Sequence, residues 1–204
     1  VPKPYSEACE QNKEPILEVL RRELPWPATV LEIGSGTGQH AVYFAAQLPH
    51  LTWQPSELAE NIPGIDLWLA EAALGNLREP LVLDVQTFPW PIEIADAVFS
   101  ANTAHIMSEA GVAAMFTGIG RVLRHGGRFC LYGPFSYDSR HTAESNASFD
   151  QWLKARDPRS GVRDVRWLDK LAREAALEPV RDYPMPVNNR TLVYERTQAL
   201  GTRT

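Results

Sequence analysis

The stretch Val30-Leu31-Glu32-Ile33-Gly34-Ser35-Gly36-Thr37-Gly38-Gln39-His40 decides how the rest of the chain is read. An apolar run carrying one acid leads into glycine at every second position. Ala41-Val42-Tyr43-Phe44-Ala45-Ala46-Gln47-Leu48 then follows in a helical pattern. That is the order of a buried strand, a tight turn and a helix start. The glycines let the turn reach positive φ and let a ligand approach the backbone closely. Free N–H groups at the helix start are then expected to face an anion or a polar ligand. The plainer alternative is a Gly-rich turn that binds nothing.

The spacing bears on the ligand. A dinucleotide turn carries G-x-G-x-x-G, with its third glycine at a helix–strand contact, and here Gln39 holds that third place. Glu32, two residues before the first glycine, suits a ligand with a cationic end better than a pyrophosphate. The stretch resembles motif I of the class I S-adenosylmethionine-dependent methyltransferases. That resemblance implies a glycine turn packed against the methionine part of the cofactor, with Glu32, Gly34, Ser35, Gly36, Gly38 and His40 as cofactor-binding positions.

A chain of 204 residues, 44% apolar, is enough for one domain with a sizeable core. The expected organisation is a single domain over 1–204, with an arm and helix at 1–27 and a lid or substrate loop at 136–165. A net charge of −5 argues against a nucleic-acid partner, which normally meets a basic stripe. Two cysteines do not make a disulfide framework, and neither an apolar leader nor a long apolar span is visible. The expectation is a soluble cytoplasmic protein with no membrane partner and no metal; monomer and homodimer are both left open.

Residues Val1 to Lys13 read as an arm. Ile16, Leu17, Val19, Leu20 and Leu24 then recur at helical spacing up to Pro25-Trp26-Pro27. Tyr5, Asn12 and Lys13 either face a substrate or belong to an arm that only packs. Leu51 to Glu57 reads as a second strand, and Glu57 lies about twenty residues past the glycines, where α/β folds place a ribose-binding carboxylate. Its other reading is a helix cap with Ser56. A helix is expected over Ile65 to Leu77, and a third strand over Leu81 to Val85 ends in Asp84. By the resemblance, Asp84 accepts from the adenine amino group and the Val85 backbone meets the ring edge; otherwise Asp84 caps a turn.

The fourth strand runs from Ala95 into Asn102-Thr103-Ala104-His105. Carboxyl ends of strands beside a switch point line the crevice of doubly wound sheets, so Asn102 and His105 are expected beside the methyl donor. This tip departs from the Asn-Pro-Pro-Tyr signature of enzymes methylating adenine or glutamine amino groups. A helix from Val112 to Leu123 contains Gly118 and Gly120, and Arg124-His125-Gly126-Gly127 turns into a fifth strand ending near Phe135. Ser136 to Phe149 reads as a polar loop over the site. One more helix at Trp167 to Leu177 precedes two last strands, joined through Val187-Asn188-Asn189. The fold class is therefore expected to be α/β: a Rossmann-like, doubly wound, seven-stranded sheet, mostly parallel with an antiparallel last strand.

Beyond motif I, the chain resembles a little-characterised methyltransferase-like group, the methyltransferase-like protein 26 family. The resembling pieces are Asn12 to Ile16, Leu31 to His40, Trp53-Gln54-Pro55-Ser56, Asn102 to Ile106, Ser145-Asn146 with Phe149-Asp150, Gly161-Val162-Arg163-Asp164, and Met185 to Asn189. Gln11 stands where that group suggests a basic residue. The resemblance implies S-adenosylmethionine as cofactor, S-adenosylhomocysteine as product, and no secure acceptor.

Methyl transfer needs positioning and shielding more than activation. His105 is the candidate base, with orientation of the substrate as its other role; Asn102 orients the nucleophile. Asn146 is a candidate contact in the loop, and Arg163 or Lys13 would suit an anionic acceptor. A small-molecule acceptor is expected. The rivals are a binding protein that holds S-adenosylmethionine without turnover and an NAD-dependent oxidoreductase.

Overall fold

The structure is a computed structural model that describes residues 2–197. Its elements in chain order are α1 (Glu7–Glu23), β1 (Ala28–Ile33), α2 (Gln39–Gln47), β2 (Leu51–Glu57), α3 (Ile62–Ala72), β3 (Leu81–Val82), β4 (Ala95–Ala101) and α4 (Glu109–Val122). These are followed by β5 (Leu123–Gly133), β6 (Phe135–Tyr137), β7 (Arg140–His141), α5 (Glu144–Arg156), β8 (Arg163–Asp164), α6 (Val165–Glu174), β9 (Leu177–Pro184) and β10 (Arg190–Arg196). The main sheet has seven strands in the order β3-β2-β1-β4-β5-β10-β9. β1 runs parallel to β2 and β4, β4 parallel to β5, and β10 antiparallel to both β5 and β9. The chain thus builds outward from β1 on one side, then returns to build on the other. The crevice at that reversal, above the carboxyl ends of β1 and β4, is where such sheets bind ligands.

Strand alternation sorts the core into two faces. Val30, Trp53, Phe99, Cys130 and Val193 point to α1 and α2, meeting Ile16, Leu20, Ala41 and Phe44. Leu31, Val98, Phe129, Leu131 and Tyr194 point the other way, to α4 and α6, meeting Val112, Phe116, Ile119 and Leu168. Both faces of the central strands are covered, which is why β1 and β4 read as nearly unbroken apolar runs.

The two glycines inside α4 have a packing cause. A Cβ on Gly118 would lie 1.9 Å from the Trp90 ring, and one on Gly120 would lie 2.5 Å from the carbonyl oxygen of Ala175. Helix propensity is given up at both positions so that Trp90 and the end of α6 can press onto the backbone.

Several expectations shift. The arm is shorter: Ser6 accepts from the Cys9 N–H and starts α1 at Glu7, so residues 7–13 are helical. The helix expected over 65–77 spans Ile62–Ala72 and stops at Ala73, whose φ is +48°. The third strand pairs only at Leu81 and Val82, before the backbone bends into Asp84. The polar loop expected over Ser136 to Phe149 instead holds most of β6, β7 and the first half of α5; β6 and β7 join β8 in a small three-stranded sheet of order β7-β6-β8. The apolar pattern of the sequence carries no sign of α5 because two of its three buried residues, Asn146, Asp150 and Leu153, are polar. Their 4- and 3-residue spacing is helical, but an apolar pattern cannot reveal it.

Replacing Gly118 by Ala is expected to lower stability by about 2 kcal/mol despite the better helix propensity, since a rigid indole must move. Urea denaturation of the two proteins checks this; equal midpoints and slopes would refute the packing account.

Candidate active site

The carboxyl ends of β1, β2, β4 and β5, together with α1, α5 and the β9–β10 turn, enclose a cavity of about 950 Å³. Pockets holding one drug-sized ligand run from about 300 to about 1,000 Å³, so this one lies at the upper end of that range.

The glycine turn forms its floor. Gly34 has φ +74°, and a Cβ there would meet Thr103 Oγ1 at 2.7 Å, so both conformation and crowding demand glycine. Gly36, at φ +57°, has nothing within 4 Å of where a Cβ would sit and leaves backbone open to the cavity. The amides of Gly34, Ser35 and Gly36 are nevertheless occupied. Gly34 and Ser35 N–H donate to the Ser56 carbonyl at 3.1 and 3.0 Å, and Gly36 N–H donates to Glu57 Oε2 at 2.9 Å. At the start of α2, Gly38 N–H donates to the Ser35 carbonyl at 2.9 Å and Gln39 N–H to Thr37 Oγ1 at 3.4 Å, so the expectation of free N–H groups at the helix start is narrowed at those two positions. A pyrophosphate would have to displace those partners beside a carboxylate.

Glu32 lies under the turn, 2% exposed and not among the residues that line the cavity. Its Oε2 accepts from Ser35 Oγ at 2.9 Å and from Trp53 Nε1 at 3.0 Å. Burial pushes its pKa up to about 7, against these two hydrogen bonds and with the Glu57 charge adding to the rise. Gly38 is the left-handed N-cap of α2, packed on Ile65 and also outside the wall.

Glu57 and Asp84 both line the cavity, at the ends of β2 and β3. Glu57 Oε1 accepts from Leu58 N–H at 2.8 Å, and Asp84 Oδ1 accepts from Gln86 N–H at 2.9 Å. Asp84 thus caps its turn, whereas the reading of Ser56 and Glu57 as a helix cap is corrected: both lie in β2, Ser56 Oγ donates to the Glu32 carbonyl, and the N-cap of α3 is Asn61. Val85 lines the same end.

On the other side, Asn102 sits at the tip of β4 with φ +57°, a left-handed conformation that Asn tolerates. Its N–H donates to the Tyr132 carbonyl at 2.9 Å, and it lines the cavity with His105. The loop carrying His105 is gripped by residues 160–163. Gly161 N–H donates to the His105 carbonyl at 2.9 Å, and Ser160 Oγ to the Ile106 carbonyl at 2.8 Å. Arg163 donates to the carbonyls of Ala104, at 3.1 Å, and Met107. Arg163 is thus consumed in fixing the loop and stands outside the cavity wall, which corrects its reading as an anion receptor. His105 is 7% exposed; burial, with the Arg163 charge behind it, pushes its pKa down to about 4. Its ring is therefore unprotonated at neutral pH.

The arm's residues divide. Asn12 lines the cavity, with Oδ1 2.7 Å from His40 Nε2. His40 also lines it, and burial holds its pKa down at about 4. Lys13 instead pairs with Glu10 and lies over the Tyr43 ring, while Tyr5 is 62% exposed; neither lines the cavity. Asn146 lines it and donates to the Asn188 carbonyl at 3.0 Å, tying α5 to the β9–β10 turn. Gln39 explains why no third glycine is needed. Its Oε1 accepts from Ser6 N–H at 2.5 Å and its Nε2 donates to Glu10 at 3.0 Å, so it moors α1 over the cavity.

Sequence reasoning missed Tyr132, Cys9, Leu58 and Asn189 as wall residues. Tyr132 follows an apolar strand and reads as core; only its place at the carboxyl end of β5 was a signal. Among the described residues, no group of three His, Cys, Asp or Glu is disposed to hold a metal, and no helix is long and apolar enough to cross a membrane.

The same architecture occurs in solved structures. An O-methyltransferase family protein from Burkholderia thailandensis superposes with a TM-score of 0.78 at 17% identity, covering 91% of this chain and 56% of that one. An O-methyltransferase family 2 protein from Planctomyces limnophilus, solved with apigenin, gives 0.80 at 16%, covering 93% and 58%. Human N-acetylserotonin methyltransferase, solved with SAM, gives 0.74 at 15%, covering 94% and 53%. The chain spans little more than half the length of these proteins. Its fold is that of the Rossmann-like methyltransferases. The chain belongs to the family described as "Protein of unknown function (DUF938)", whose profile matches residues 3–196.

The Glu32 carboxyl, at about 7 in the fold against an ordinary 4.5, keeps its proton through a window where the unfolded chain has lost it. Stability from this group is full below about 4.5 and is lost as pH rises through about 7. Thermal unfolding of the parent and Glu32→Gln is expected to show the variant gaining on the parent between about pH 5 and 8. A pH-independent difference would reject the assignment.

Proposed function

We propose that the protein is an S-adenosylmethionine-dependent methyltransferase acting on a small-molecule acceptor. One observation carries the reading: two carboxylates, Glu57 and Asp84, and the open backbone at Gly36 share one cavity at the switch point. That donor set fits a cationic nucleoside ligand. Glu57 offers acceptors to ribose hydroxyls and Asp84 one to an adenine amino group. It does not fit a pyrophosphate, which would meet the occupied amides of Gly34 to Gly36 and a carboxylate; this argues against the NAD alternative. The neighbours' fold supports the same class, as does the resemblance to the methyltransferase-like protein 26 family. Two cysteines without a disulfide agree with work in the cytoplasm.

When bound, S-adenosylmethionine supplies an activated methyl group. The chain's own groups then hold the nucleoside, cover the site with α1 and place Asn102 and His105 near the acceptor. The acceptor gives up a proton as it gains a methyl group. His105, unprotonated at neutral pH, can take that proton; a base this weak suits an acceptor whose proton becomes strongly acidic as the bond forms. The depressed basicity also favours a second reading, a binding protein without turnover, and only a turnover assay separates the two.

Calorimetry is expected to show micromolar binding of S-adenosylmethionine and S-adenosylhomocysteine and none of NAD. Glu57→Ala and Asp84→Ala should each weaken binding about tenfold or more. Binding of NAD, or unchanged affinity in both variants, would overturn the assignment.

If His105 takes the proton, kcat/KM should show no acid limb from it between about pH 5.5 and 8, falling only as pH approaches 4, where the ring charges. His105→Ala should lower turnover about a hundredfold while S-adenosylhomocysteine binds as before. A parent-like rate in the variant would leave His105 a positioning residue.

A further inference from the structure

The wing of the cavity opposite Glu57 and Asp84 is built from uncharged groups. Asn12 on α1, Tyr132 at the end of β5 and Asn189 in the β9–β10 turn all line it; Asn12 Oδ1 lies 2.7 Å from His40 Nε2 and Asn189 Nδ2 donates to the Pro186 carbonyl at 3.3 Å. These three side chains come from distant parts of the chain. A polar row at a 3%-exposed tyrosine is costly to maintain if packing is its only use. We infer that this row recognises the methyl acceptor, and that the acceptor is an uncharged molecule with an apolar body and a hydroxyl head.

The inference rests on the methyltransferase reading and adds the acceptor's chemistry. The cations that could have faced this wing are turned away: Lys13 to Glu10 and the Tyr43 ring, Arg163 to backbone carbonyls. Asp157 and Arg159, which also line the cavity, neutralise each other through two parallel bonds, at 3.1 and 2.9 Å. His40 and His105 are held neutral by burial, and burial pushes the Tyr132 hydroxyl up from its ordinary pKa. A charged acceptor would surrender its hydration to a wall with no counter-charge. A hydroxyl would find amide and phenol partners instead.

The apolar body has a seat as well. The Phe149 ring stands edge-on to His105, at 5.2 Å between centroids, and stacks on Trp152 at 5.8 Å. Ile106 and Val187 line the cavity yet are 61% and 79% exposed. Val187 holds φ +57°, a costly conformation for a β-branched residue. It is kept there by a turn that Asn146 and Ser145 bind through Asn188, at 3.0 and 3.2 Å. Strain maintained at a cavity wall is characteristic of ligand clamps.

The test is calorimetry at neutral pH on the full chain saturated with S-adenosylhomocysteine, titrating 4-hydroxybenzyl alcohol, 4-hydroxybenzoate and 4-hydroxybenzylamine. The neutral alcohol is expected to bind at least about tenfold more tightly than either charged analogue. Tyr132→Phe should weaken it about tenfold, with S-adenosylhomocysteine affinity unchanged within about twofold; Asn189→Ala should do the same and serves if the first variant does not fold. Equal or tighter binding of a charged analogue, no saturable binding of the alcohol, or unchanged affinity in the folded variants overturns the inference while leaving the cofactor reading intact. Failure of S-adenosylhomocysteine itself to bind overturns both.

Discussion

The structure depends on one buried carboxyl. Glu32 holds the hydroxyl of Ser35 and the indole N–H of Trp53, and its own carbonyl accepts from Ser56 Oγ at 2.6 Å. The central strand, its neighbour and the turn above both are thereby locked together in a place without water. A carboxyl can survive there because it has two donors and an elevated pKa; an apolar residue would leave both donors unsatisfied. From this lock follow the path of Gly34 to Gly38, the position of Glu57 against Gly36, and the start of α2.

A second tier of contacts turns that floor into an enclosed site. Gln39, the first residue of α2, binds Ser6 and Glu10 and so draws α1 over the glycine turn. The arm ahead of it is strapped to α3: Lys3 lies 3.7 Å from the Trp68 ring centroid, and Trp68 Nε1 donates to the Pro4 carbonyl at 2.8 Å. On the opposite wing, residues 160–163 grip the loop of His105 by its carbonyls. The site is assembled mostly by side chains that hold backbone, which accounts for how few of its polar groups are charged.

Some of the candidate site was legible in the chain and some was not, for reasons visible in particular residues. Glu57, Asp84, Asn102 and His105 stand at strand ends, where the order of strands alone sends them to one crevice. Arg163 and Lys13 carry charges that made them look like ligand groups, yet a nearby set of carbonyls and a carboxylate claims each of them. Tyr132 looked like core because its strand is apolar. Asn146 and Asp150 hid a helix because its buried face is polar.

What the sequence by itself determined is the alternation of apolar strands and helices, the glycine turn and the acids at strand ends. Those features are local: periodicity, φ preference and spacing are properties of a few neighbouring residues. Only the tertiary structure decided that Glu32 lies beneath the turn, that the amides of Gly34 to Gly36 are occupied, that Arg163 serves the His105 loop, and that Asn12, Tyr132 and Asn189 line one cavity. Each of these is a competition for hydrogen-bond partners between segments far apart in the chain, and that competition has no outcome until the segments are packed.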